Sequence, residues 1–327
     1  MKKSLGIFGA VAISASLITG CADSTNKSEV SNAMVDVVVL PSYSRLANAS
    51  QELNQALQNL ANNPTQGTFN KAKSSWRSAR KTWEITETWA YGPAETLDFD
   101  PNLDDWPVST NELTSSLDSK SDFTSRTLQK LDTTSRGFHG IEYVLFGRDN
   151  DLVEDLSSNE LAYLKSAGED LENNADGLLE AWSGSEGFGS TVVKADPSSA
   201  IADILAGMEG CLAEVADGKL GGAFDANDAG ELESTFSGNT GNDIVFNIKG
   251  VKIAWEKSKL KEYASSKNNE LSSTLSSQID ESIKLANQLP GALNDQLTNE
   301  RTKETVNKLR TVLTSAAETA VSLASEL

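Results

Sequence analysis

The sequence predicts an all-α protein built as two four-helix-bundle-like halves related by approximate duplication. Three observations carry this expectation. Apolar residues recur at alternating three- and four-residue spacing through long segments of both halves. No stretch alternates strictly between apolar and polar residues, as a half-buried strand would. The helical segments fall into two sets of four, each interrupted by one long irregular excursion.

The first twenty residues read as a removable leader. Lys2 and Lys3 give a basic start, and the apolar run Leu5 to Ile18 is too short for a spanning helix of about 20 residues. Leu17-Ile18-Thr19-Gly20-Cys21 has the order of a bacterial lipoprotein cleavage site, in which Cys21 carries the lipid. An ordinary signal peptide with a chance cysteine is the other reading. The expected organisation is a leader over 1–20, a polar flexible tether over 21–33, an N-terminal bundle over 34–185 and a C-terminal bundle over 186–327. At about 150 residues per domain, the mature length suits two domains.

Helix one is expected over 34–62, with Leu46, Leu53, Leu57 and Leu60 on its apolar stripe. Its β-prone start, Val35 to Leu40, is read as helix, and Asn62-Asn63-Pro64 ends it. Helix two, over 68–90, carries Phe69, Ala72, Trp76, Ala79 and Trp83 at spacings of 3, 4, 3 and 4. Tyr91-Gly92-Pro93 stops it. The next thirty residues, 91–120, lack period but contain Asp98, Asp100, Asp104, Asp105 and Trp106-Pro107. A loop of that length inside a domain is usually functional or disordered, and its aromatics and prolines favour order. Helix three is expected over 122–146 on Leu128, Leu131, Phe138 and Leu145, a register that also turns Ser135 and Glu142 inward. Helix four spans 159–182, and the Gly/Ser stretch Ser183 to Gly189 marks the boundary. The second half repeats the rhythm near 198–216, 241–264, 267–289 and 295–326, with a Gly-rich excursion over 218–241.

Composition narrows the chemistry. With 28 basic and 47 acidic residues the chain carries a formal charge of −19, which argues against nucleic acid and suits an exported protein or one that attracts cations. If Cys21 is lipidated, Cys211 stands alone, no disulfide forms, and packing must supply stability.

His139 is the only histidine. It lies three residues before Glu142, so the two share one helix surface as half of a metal site, an acid/base pair or a plain hydrogen bond. Gly137 and Gly140 flank it, and each costs a helix about 1 kcal/mol relative to alanine. Such glycines are tolerated where backbone or ligand must come close. One histidine excludes His-Glu-x-x-His zinc sites and the paired Glu-x-x-His di-iron pattern. There is no Gly-x-Ser-x-Gly elbow and no phosphate loop. What remains is one imidazole with several carboxylates, a set that suits hard cations and tolerates iron, manganese or zinc. Glu87, four residues beyond Trp83, is the first candidate third ligand. Arg80 would neutralise it or hold an anionic ligand, and Asp100, Asp104 and Asp105 are further candidates. Trp76 and Trp83 are read as core, and Thr240 to Asp243 as a capping box.

Gly137-Phe138-His139-Gly140-Ile141-Glu142 resembles the Gly-x-His-x-x-Glu signature of the imelysin-like proteins, a nominal M75 peptidase family. The context is similar in three further places: Trp76, Arg80, Trp83 and Glu87 through Tyr91-Gly92-Pro93; Asp100 and Asp105-Trp106-Pro107; and Glu233 to Ser237 with Asn239, Thr240, Asp243, Asn247 and Gly250. The resemblance covers most of the chain from about residue 34. It implies two helical bundles with a site at their interface, in which His139, Glu142, Glu87 and Arg80, with Asp105 as a further ligand-binding residue, are faced by Ser237, Thr240, Asp243 and Asn247 from the second half. It further implies an exported protein or lipoprotein of the periplasm or outer membrane, implicated in iron uptake with other envelope proteins. Such a protein would bind iron or another cation, free or chelated. The alternatives are a metallopeptidase, for which the inventory offers neither a recognisable nucleophile nor a second histidine, and a non-catalytic scaffold lipoprotein.

Overall fold

The apolar stripes close into two groups of long helices. The structure, a computed structural model, describes residues 25–119, 123–148 and 150–327; the leader and Cys21 lie outside it. It is 79% helical, with no strand among the described residues. The first group comprises α1 (Leu40–Asn62), α2 (Gln66–Thr86), α3 (Gly137–Phe146) and α4 (Ser158–Trp182). Here α1 packs on α2 and α4, and α3 lies against both α2 and α4. The second comprises α5 (Pro197–Ala213), α6 (Thr240–Lys257), α7 (Asn269–Ala286) and α8 (Glu300–Ala324), with α8 against α5 and α7. Helix α6 packs on α5 and α7 and also along α2, which joins the groups.

Local chemistry sets the helix starts. Thr65 and Ser157 form capping boxes with Thr68 and Glu160 at the heads of α2 and α4. Asp196 caps α5, where Pro197 takes the first helical position. Burial holds the interior. Trp76, Trp83, Trp89, Trp182 and Trp255 are almost completely enclosed. At about 25 cal/mol per Å2, the 150–250 Å2 of one such side chain favours folding by up to about 4–6 kcal/mol before entropy is counted.

Four expectations are corrected. The tether expected over 21–33 is a helix from Lys27 to Ala33, continuing through a π-helical turn, Met34–Val39, into α1. Asn26 caps it, and Val30, 0% exposed, turns it onto α5. Polar composition hid one apolar face. Helix three over 122–146 is broken into Ser125–Leu128, a 3-10 turn Thr133–Ser135, and α3. Gly137 ends the run because its φ is +59°, and a Cβ there would overlap the Leu103 carbonyl. The Gly-rich excursion is helical at its start: α5 runs on as a π helix, Glu214–Gly222, whose buried Val215, Ala216 and Leu220 hold it on α8. Thr240 makes no capping box; it opens α6 and its hydroxyl accepts from Ser234 N.

The aspartate-rich loop folds into three short helices, Pro93–Thr96, Phe99–Asp104 and Thr110–Asp118. The middle one packs on α3 and α4 and so brings Asp104 to the middle of the molecule.

Candidate functional site

Between α2, α3, α6 and the π-helical turn lies a buried group of charged side chains. On α2, Arg80 and Glu84 sit four residues apart beside the tryptophan stripe, and Glu87 follows in a 3-10 turn, Glu87–Trp89. Asp104 comes from the loop, His139 from α3, Lys219 from the π turn, Glu233 from the irregular chain before α6, and Asp243 and Asn247 from α6.

The guanidinium of Arg80 pairs with Glu84 and Asp104 and lies 2.9 Å from Glu233 Oε1. Trp83 Nε1 donates to the other oxygen of Asp104. His139, 1% exposed, places Nε2 3.1 Å from Asp104 Oδ1 and Nδ1 3.3 Å from Glu142 Oε2. The second oxygen of Glu142 accepts from Ser237 N at 2.8 Å. Lys219 Nζ touches three carboxylates, at 3.2 Å from Glu84, 2.8 Å from Glu87 and 2.9 Å from Glu233. Asn247 Nδ2 donates to the backbone and side chain of Glu84, at 3.0 and 2.8 Å, and to Glu87.

Two overlapping donor sets result. Asp104, His139 and Glu233 offer atoms within 4.8 Å of one another, and so do Glu84, Glu87, Asp104 and Glu233. Ligands on opposite sides of an ion at 2.0–2.6 Å stand about 4–5 Å apart, so either set can close on a cation with side-chain adjustment.

The charges do not balance. Five carboxyls, of Glu84, Glu87, Asp104, Glu233 and Asp243, surround two buried cations, Arg80 and Lys219, while His139 pairs with Asp104 and the exposed Arg77 acts on Asp243 from outside. Burial resists uncompensated charge, and three groups hold protons above the usual carboxylate range. Burial pushes Glu84 up to about 8, with Glu87 and Glu233 adding repulsion that Arg80 and Lys219 only partly offset. Burial, then Glu233, lifts Glu87 to about 7. Burial and Glu84 raise Asp243 well above the ordinary value. Glu233 goes the other way: burial opposes its ionisation, but Lys219 and Arg80 outweigh it and hold the group at about 2.

The cluster forms one wall of a cavity of about 790 Å3. Glu87, Asp104 and Glu233 lie on it, and Glu95, Asp100, Asp105, Asp203 and Glu214 extend the acidic lining. No lysine or arginine is among the lining residues, whereas Tyr91, Trp106 and Phe188 supply ring surface. Burial brings Asp100 up to about 6.

The residues singled out in the sequence are distributed unevenly over this geometry. His139 and Glu142 adjoin, but Glu142 takes the ring nitrogen opposite the one that meets Asp104, and it belongs to neither donor set. Glu87 belongs to the carboxylate set without His139, so the expected trio His139, Glu142 and Glu87 does not converge on one point. Arg80 pairs with Glu84, Asp104 and Glu233 rather than Glu87. Asp105 lines the cavity and accepts from Thr133 Oγ1. Ser237 contributes its backbone, donating to Glu142 and accepting from Arg77 at 3.0 Å. Thr240 braces Ser234, Asp243 accepts from Asn239 at 2.6 Å, and Asn247 holds Glu84 and Glu87. Glu84 and Lys219 were missed. Glu84 carried a signal, being one turn from Arg80 on the buried side of α2. Lys219, in a glycine-rich stretch without period, carried none.

Fold and site together define an all-helical protein with a buried, carboxylate-rich charge cluster open to an acidic cavity. The imelysin family model, Peptidase_M75, matches residues 39–320, and the chain belongs to that family. It is 31% identical over 232 residues to a protein named iron-regulated protein A from Synechococcus elongatus, a match covering 68% of this chain and 61% of that relative's length. Two solved structures share the fold. One, provisionally assigned as an iron-regulated protein A precursor from Parabacteroides distasonis, aligns with a TM-score of 0.82 at 23% identity, over 91% of this chain and 94% of that one. The other, an imelysin-like protein from Psychrobacter arcticus 273-4, aligns with a TM-score of 0.73 at 17% identity, over 90% and 94%.

Proposed function

We propose that this protein is a cell-envelope lipoprotein of iron uptake that binds iron or another cation, free or chelated, at the cluster around Asp104, His139 and Glu233. The observation that carries this reading is the convergence of one imidazole and several carboxyls, with more acidic than basic groups, at the wall of an acidic cavity. Such oxygen-rich sets suit hard cations, and a single imidazole admits iron. The relative named iron-regulated protein A supports iron as the cargo. The cavity is large enough for a hydrated or chelated ion.

On this reading, Asp104, His139 and Glu233 hold the ion, with Glu84 and Glu87 as the adjoining oxygen donors. Glu142 orients the imidazole through Nδ1, as outer partners of histidine ligands do. Two bundles, 34–185 and 186–327, would contribute from either side. Lipid on Cys21 would tether the chain to a membrane, in the periplasm or at the outer membrane, beside other uptake proteins. No helix among the described residues is long and apolar enough to cross a membrane. Binding is favoured over peptide hydrolysis because Glu142, the carboxylate beside the histidine, is held by Ser237 N and His139 Nδ1 rather than facing the donor set.

Calorimetric titration with ferric ion delivered from nitrilotriacetate, and with Mn2+, tests the site on chain 22–327. His139→Ala and Asp104→Asn are each expected to weaken binding at least tenfold. Equal binding by both variants and the parent would remove the site. Metabolic labelling with palmitate tests the anchor; incorporation that survives Cys21→Ser would refute it.

A further inference from the structure

We propose that Lys219 is a resident counter-cation: its ammonium occupies the carboxylate set in the cation-free protein and gives up that place when cargo binds. The inference rests on the cation-binding reading above and adds a moving part to it.

The Nζ of Lys219 has oxygens of Glu84, Glu87 and Glu233 at 3.2, 2.8 and 2.9 Å, from two separate stretches of chain. These are three of the four carboxyls whose oxygens lie close enough together to hold a metal ion. An ammonium with oxygens of three carboxyl groups in contact is a cation in a ligand shell, at hydrogen-bond rather than coordination distance. Two cations cannot share that shell, because they repel and compete for the same lone pairs.

Of the two cations in the cluster, only Lys219 has a route out. Arg80 is fully buried, forked between Glu84, Asp104 and Glu233, and set over the Phe138 ring at 5.5 Å. A planar guanidinium forked between three buried carboxyls gives up all three pairings at once if it moves. Lys219 is 3% exposed, yet two of its partners, Glu87 and Glu233, line the open cavity. Glu214, five residues earlier on the same π-helical segment, is exposed and lies on the cavity wall. The four-carbon arm can therefore swing from the cluster toward Glu214 through cavity space without unfolding the segment. The exchange also confers selectivity. A monovalent ion brings no more charge than the ammonium it must replace, whereas a divalent or trivalent ion brings more.

Lysine acylation with an N-hydroxysuccinimidyl acetate, read by peptide mass spectrometry, follows the arm directly. In the cation-free chain Lys219 is expected to be protected relative to the half-exposed Lys252. Saturating ferric nitrilotriacetate or Mn2+ is expected to raise its labelling at least tenfold, and 0.5 M NaCl is not. Lys219→Met is expected to bind the same probes at least tenfold more tightly. If the parent chain binds a probe while Lys219 labelling stays flat, the exchange is overturned and the cation site stands, whether or not the variant folds. If Lys219→Met folds and binds no more tightly, the exchange is likewise overturned. If neither chain binds any probe, the cation-binding reading falls, and the exchange with it.

Discussion

Replacing Glu84 by glutamine tests the charge imbalance at its centre. Glu84 is fully buried, and burial raises its carboxyl from the ordinary value of 4.5 to about 8. A carboxyl raised in the folded state ionises more readily once the chain unfolds. Its contribution to stability is therefore fully present below about pH 4.5, declines as pH rises toward 8, and levels off above it. Within that window the loss amounts to roughly 1.4 kcal/mol per pH unit, so the full window corresponds to about 4–5 kcal/mol for an isolated group. Coupling to Glu87 shares part of this between the two. Glutamine cannot ionise, so Glu84→Gln should lose this share of the pH dependence whatever its absolute stability. Urea unfolding of both proteins at pH 5, 6, 7 and 8, in chelator, measures it. The stability of the parent relative to the variant should fall by several kcal/mol across the series. Parallel curves would refute the reasoning, because they would mean that Glu84 is ionised in the folded protein and fully neutralised by Arg80 and Lys219.

The same protons predict linked binding. With Glu87 at about 7 and Glu84 at about 8, cation uptake at pH 6–7 should release one to two protons, and affinity should fall up to tenfold per unit of acidification for each; titrations in buffers of different ionisation enthalpy count them, and no release would contradict the assignment. Gly137→Ala should destabilise the fold by at least about 2 kcal/mol, since φ there is +59° and the added methyl meets the Leu103 carbonyl; denaturant titration measures it. Trp76→Phe removes the second donor to the Phe138 carbonyl, at 2.9 Å, with a net cost of about 0.5–1.5 kcal/mol for the hydrogen bond in the same assay. Val30→Ala should cost about 1–2 kcal/mol if the helix Lys27–Ala33 is docked as described, and nothing if those residues are a tether.

How much of the site could be read in advance depended on the distance over which each feature is determined. His139 and Glu142 adjoin because three residues of helix bring side chains together whatever surrounds them. Glu84 shares a helix turn with Arg80 and was within the reach of the same argument. Asp104 was visible as one acid in an aspartate-rich loop, but its selection over Asp100 and Asp105 depends on how the short helix Phe99–Asp104 packs against α3 and α4. Lys219 was beyond reach, because only a π-helical turn held against α8 directs it inward.

The sequence by itself determined the helical class, most of the long apolar stripes of the two halves, the buried register of Glu142 and the Gly-x-His-x-x-Glu signature. All of these follow from spacing within one segment. Tertiary structure decided that helix three breaks at Gly137, that the chain from Lys27 docks as helix, and that the imidazole meets Asp104 and Glu233 rather than Glu87. The physical reason is that the balance of buried charge is a property of the enclosed volume. Each carboxyl is ordinary in its own segment, and it becomes one of five around two buried cations only when five separate stretches of chain close around the same few ångströms.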